Sequence, residues 1–167
     1  MNNDVLWSLV HAIEATAVHD IVSRSTWMWA VLESLHFIGL SVLIGTVGMF
    51  DLRLLGFARG VSVVALHRLI PLGIAAFALN ATTGMLFLSG FPDQYIFNAA
   101  FRVKMALVLL AGVNVLFFYG RVFRRLESLR PDEQPPLAAR IVGGVSLSCW
   151  IGVMCAGRLL TFFRPPF

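Results

Sequence analysis

Glu33 and His36 lie three residues apart within a long apolar stretch, so on a helix both project from nearly the same face. A carboxyl and an imidazole in hydrocarbon are costly unless paired. Such groups mark proton relays, solute sites or ligands to a metal centre. At ~1.5 Å per residue, His36 is expected about 15 Å below the outer end of its segment, with Asn80 at a similar depth in the next. Lys104 and Arg158 start nearer the same surface, where long side chains bend toward headgroups or toward a bound anion. Glu33, His36, Asn80, Thr83, Lys104 and Arg158 are therefore expected to line one cofactor-binding cavity in the outer half, with His36 as its metal ligand. His67, beside Arg68 at the inner border, is roughly 12 Å from His36 in depth by the same rise. It is the minority candidate for a second ligand. The plainer reading is that these polar groups only bridge helices, at about 1 kcal/mol each.

Other chemistries fit less well. Glu33-Ser-Leu-His36 matches the Glu-x-x-His element of di-iron bundles, but that site needs a second such element and two further carboxylates, which no other apolar segment offers. His11 and His19 occupy an amphipathic stretch and are expected to be solvated. Cys149 and Cys155, six apart, diverge by roughly 120° around a helix, so they neither bond to each other nor form a thiolate path for copper.

The elements that must position these residues are long and apolar. Of 167 residues, 58% are hydrophobic and 13% charged, and the mean hydropathy is +0.81. These values exclude an ordinary soluble domain and predict an all-α integral membrane bundle. The formal charge of +4 falls in short blocks bordering apolar segments rather than on a polar stripe, which argues against nucleic-acid binding. Residues 3–24 have helical spacing of Val5, Leu6, Leu9, Val10, Ile13 and Ala17, with His11, Glu14 and Asp20 between, and predict an interfacial amphipathic helix. The first twenty residues contain no Lys or Arg, unlike a secretory signal. Four spans are predicted at 27–50, 69–88, 101–119 and 141–162, the first closed by Asp51-Leu-Arg53. Short connections make them an up-down four-helix bundle forming a single membrane domain.

Arg53, Arg59, Arg68, Arg121, Arg124, Arg125, Arg130 and Arg140 border one side, against Arg24, Arg102, Lys104, Arg158 and Arg164 on the other. The positive-inside rule makes the first side cytoplasmic and both termini periplasmic in a bacterial inner membrane. Gly144, Ser148, Gly152 and Ala156 recur every fourth residue, a close-packing face that could seat Ser41 and Gly45 of the first span or another protomer.

Leu35-His36-Phe-Ile-Gly39 with Asp51-Leu-Arg-Leu-Leu-Gly56, Phe101-Arg-Val-Lys104 leading to Asn114, and Trp150-Ile-Gly152 leading to Gly157-Arg158 resemble an uncharacterised family of four-span bacterial membrane proteins. More distantly, Leu35-His36, Thr83-Gly84 and Lys104 are similar to features of CopD copper-resistance membrane proteins and HemJ-type protoporphyrinogen oxidases. The HemJ resemblance implies haem or porphyrin handling, with His36 as a ligand and Lys104 near a propionate or in catalysis. The chain departs from HemJ in carrying Gly120 after Tyr119 where a His would be expected, and Asp51 in place of a basic residue.

The leading expectation is an integral membrane protein binding haem b, with His36 as an axial ligand and Lys104 and Arg158 on the propionates. It would transfer electrons between quinone and a periplasmic redox partner, or handle a porphyrin. The alternative is a non-enzymatic subunit or small transporter using Glu33 and His36 as a proton or solute site.

Overall fold

The computed structural model describes residues 3–58, 60–126 and 133–163. Among them the elements are α1 (Asn3–Glu14), α2 (Ala17–Arg24), α3 (Met28–Leu54), α4 (Val63–Gly90), α5 (Pro92–Ile96), α6 (Ala99–Leu126) and α7 (Leu137–Leu159). The fold is all-α, and α3, α4, α6 and α7 are the four described helices long and apolar enough to cross a membrane. The chain is a multi-pass membrane protein, as composition requires.

The predicted interfacial helix is broken. α1 and α2 meet at 78°, where Thr16 leaves helical geometry and its hydroxyl accepts from the His19 amide at 3.3 Å. That cap ends the continuity expected over 3–24, because a Thr at an N-cap satisfies an amide that the preceding turn cannot. α2 then turns inward onto α4, and Val22 packs with Leu32 and Phe87. His19 is half-buried, and its Nδ1 lies 3.0 Å from the Ser89 carbonyl, so it is a tether rather than a solvated surface group.

The four spanning helices outrun the expected 27–50, 69–88, 101–119 and 141–162 at most ends. Charges were expected to mark where helices stop, yet a charge facing the bundle does not end a helix. Asp51 and Arg53 show this most clearly, being 3% and 0% exposed inside α3 rather than closing it at an interface. Arg59, Arg130 and Arg164, which enter the orientation count, and most of the polar loop after Leu126 lie outside the described residues.

α3 and α4 pack antiparallel in a fixed register. His36 meets Thr83, Gly39 meets Asn80 and Thr46 meets Gly73, so each step up one helix matches an equal step down the other. Gly39 and Gly73 make this approach possible: a Cβ on Gly73 would stand 2.9 Å from Thr46 Oγ1, and one on Gly39 3.0 Å from Asn80 Nδ2. Lipid tails supply no hydrophobic drive to bring helices together, so close backbone contact and dispersion must do it. α3 carries a π-helical turn at Ile44–Gly48, and Thr46 Oγ1 donates to the Val42 carbonyl at 2.8 Å. A second π turn, Phe118–Val122, lies in α6.

α6 and α7 form the other pair. Leu107 presses on Gly152, and Asn114 Nδ2 donates to the Val142 carbonyl at 3.0 Å. α7 also packs along the C-terminal end of α3, where a Cβ on Gly143 would stand 2.8 Å from Leu54 Cβ and 2.9 Å from the Asp51 carbonyl. Of the Gly144-Ser148-Gly152-Ala156 face, Gly152 meets Leu107 of α6 and Gly144 meets Leu55, while Ser148 is exposed, and the face does not seat Ser41 and Gly45. Ser41 is exposed, and nothing lies within 4 Å of a Cβ on Gly45.

Candidate functional site

The site begins with the α3–α4 register, which carries His36 to Thr83. His36 Nδ1 lies 2.7 Å from Thr83 Oγ1, and that oxygen is itself 2.8 Å from the Leu79 carbonyl. A carbonyl only accepts. In the arrangement that satisfies all three groups, the Thr83 hydroxyl donates to Leu79 and accepts from the Nδ1–H of His36. The ring is then fixed in the tautomer whose Nε2 carries a lone pair. Thr83 is 2% exposed and Phe87 meets the ring edge-on, at 5.9 Å between centroids. A partner that orients an imidazole in this way is the usual second support of a metal-ligating histidine.

Lys104, half-buried near the start of α6, lies close enough to act electrostatically on His36. Its Nζ would stand 3.8 Å from a Cβ on Gly157 of α7. A Cβ on Gly84 would be 3.9 Å from His36 Cε1. Asn80, one turn below Thr83, donates from Nδ2 to the Ala76 carbonyl at 3.2 Å, and its buried Oδ1 has no partner among the described residues.

His36 bonds to Thr83 with Asn80 one turn away, whereas two of the six residues expected to line one cavity are exposed. Glu33 is exposed and makes no hydrogen bond or ion pair among the described residues. Its side chain leaves the face that His36 shares with α4, since three helical residues turn through only about 300°. Arg158 is also exposed, about 100° around α7 from the Gly157 that meets Lys104. His67 belongs to another cluster: its Nε2 lies 3.1 Å from the Tyr119 hydroxyl, and its ring packs on Phe123 at 4.5 Å between centroids. It does not approach His36. Among the described residues no group of three or more His, Cys, Asp or Glu could hold a metal ion.

Beside Thr46 and Ser146, three buried polar residues escaped the sequence reading among the described residues. Asp51 in α3 faces Ser146 and Cys149 of α7, and its Oδ2 is buried without a partner. Arg53 is fully buried, with Nε donating to the Val61 carbonyl at 2.8 Å and Nη2 reaching the Glu133 carbonyl at 3.5 Å. Asn98 caps α6 through the Ala100 amide at 2.9 Å and donates to the Leu160 carbonyl at 3.0 Å, tying the C-terminal end of α7 to the start of α6. The helical period continued past Phe50 sets Asp51 on the face of Val47 and Leu54, which was the available signal for the first of these.

No curated protein matches the chain, and no solved structure matches it. A family model does match, over residues 9–163, and the chain therefore belongs to DUF6644, a family of unknown function.

Proposed function

We propose that this membrane protein holds a b-type haem in the outer half of its bundle, with His36 Nε2 as an axial donor. The His36–Thr83 bond carries the reading, because it orients the ring and leaves the lone pair on Nε2. The residues present fit such a group on three further counts. Lys104 supplies a cation for a propionate, and Arg158 offers another nearer the surface. Gly84 and Gly157 are the residues of α4 and α7 next to His36 Cε1 and Lys104 Nζ, and neither adds a side chain there. α7 packs on the inner end of α3 more than on its outer half, which leaves the outer faces of the two helix pairs less committed to each other. His36 is the one axial donor that the described residues bring there, so the reading is of a centre with a single protein ligand.

When bound, haem supplies one-electron chemistry. On this reading the protein resides in a bacterial inner membrane with periplasmic termini, and passes electrons between quinone and a periplasmic partner. The test is a pyridine haemochrome spectrum and iron determination on protein purified in detergent. A haem b spectrum with about one iron per chain supports the reading, and a colourless, iron-free preparation that stays colourless after hemin addition overturns it.

The orphaned Asn80 Oδ1 favours a second reading, a small solute bound at mid-membrane by Asn80, His36 and Lys104. Glu33 plays no part in it, being exposed. Uptake into reconstituted vesicles should then fall on Asn80→Ala and remain on Glu33→Gln. Loss with the Glu33 variant alone would contradict this version.

A further inference from the structure

The inner half of the bundle contains a second polar centre, distinct from the His36 site in depth, helix pairing and chemistry. Asp51 is 3% exposed and Ser146 5% exposed, facing each other across the α3–α7 contact. Gly143 sets that contact: a Cβ there would lie 2.9 Å from the Asp51 carbonyl, so only glycine lets α7 come this close. Asp51 Oδ2 has no hydrogen-bond partner, and no ion pair among the described residues includes this carboxyl. The π turn at Ile44–Gly48 ends only a few residues before it, and such turns often accompany functional positions in helices.

The charged and titratable neighbours do not neutralise the group. Arg53, on the same helix, directs Nε to the Val61 carbonyl and Nη2 to that of Glu133. Cys149 of α7 is buried beside Asp51 and brings no positive charge. His67 of α4 and Tyr119 of α6 bond to each other, and both rings pack within the aromatic cluster around Phe118 and Phe123. A fixed carboxylate in such surroundings, with one hydroxyl and no cation, is costly. A proton is the smallest ligand that removes the charge, and one that needs no further oxygen donors.

We propose that Asp51, supported by Ser146, is a reversible proton-binding site in the inner half of the membrane domain. Uptake forms an O–H bond on the Asp51 carboxylate at the expense of hydronium or a buffer acid. Release returns that proton to water, with no other bond changed. The assignment stands independently of whether a haem binds at His36.

The test is infrared difference spectroscopy on the full chain in detergent, between acidic and alkaline buffers in water and in deuterium oxide. The expected result is a carboxylic-acid C=O band that disappears at alkaline pH, shifts with isotope-labelled aspartate, is absent in Asp51→Asn and changes frequency in Ser146→Ala. The isotope shift and Ser146→Ala keep the test decisive should Asp51→Asn fail to fold. A band that persists across the whole pH range identifies a permanently neutral structural acid and overturns the proposal. Absence of any aspartate-dependent band does the same, as does a band abolished by added sodium at constant pH, which would indicate a metal cation instead.

Discussion

Thr83 is the residue on which the orientation of His36 depends. Thr83→Val keeps shape but removes the acceptor for Nδ1–H, at a cost of about 1 kcal/mol, or roughly fivefold in affinity for a His36 ligand. Thr83→Ser should retain most of it. Hemin titration of the two variants checks this: equal affinities would mean that the 2.7 Å contact does not orient the ring. Arg53 acts differently, since its guanidinium holds loop carbonyls at Val61 and Glu133. Arg53→Met leaves them unsatisfied and should destabilise the protein by roughly 3 kcal/mol, read as a lower melting temperature in detergent. A variant as stable as the parent would show that water reaches those carbonyls.

Glycine placement decides the packing of the elements. Gly143 is pressed between Leu54 and Asp51, whereas Gly45 has open space around it. Gly143→Ala should therefore cost about 1–3 kcal/mol through overpacking, while Gly45→Ala should fall within about 0.5 kcal/mol of the parent. Comparable losses from both in thermal denaturation would contradict the arrangement of α3 against α7. These positions also show where sequence ceased to be informative. The Gly144-Ser148-Gly152-Ala156 spacing was legible as a close-packing face, but spacing alone does not name the partner helix. Gly143, outside that pattern, makes the contact with α3. Likewise Asp51 and Arg53 looked like the charged end of a span because a linear reading assigns charge to loops. Their burial depends on α7 and on the chain around Val61 and Glu133, none of which is local in sequence.

At the scale of the molecule, the all-α membrane fold was legible because apolar length is set by bilayer thickness and needs no tertiary information. Depth alone set Asn80 opposite His36, whereas the antiparallel register places Thr83 there and Asn80 one turn away, opposite Gly39. Which side chains turn away could not be read so simply, and Glu33 and Arg158 did turn away. The break at Thr16 was missed because an amphipathic period can continue across a bend that a cap creates. The molecule that results has two polar centres at different levels of α3: His36 with Thr83 in its N-terminal half, and Asp51 with Ser146 near its C-terminal end. The central claim concerns the first of these. Hemin titration of purified parent and His36→Ala protein, followed in the Soret region, tests it most directly. The account predicts a saturable Soret band near one haem per chain in the parent and its loss, or a shift with at least tenfold weaker binding, in a folded His36→Ala protein. Identical titrations for the two would contradict it.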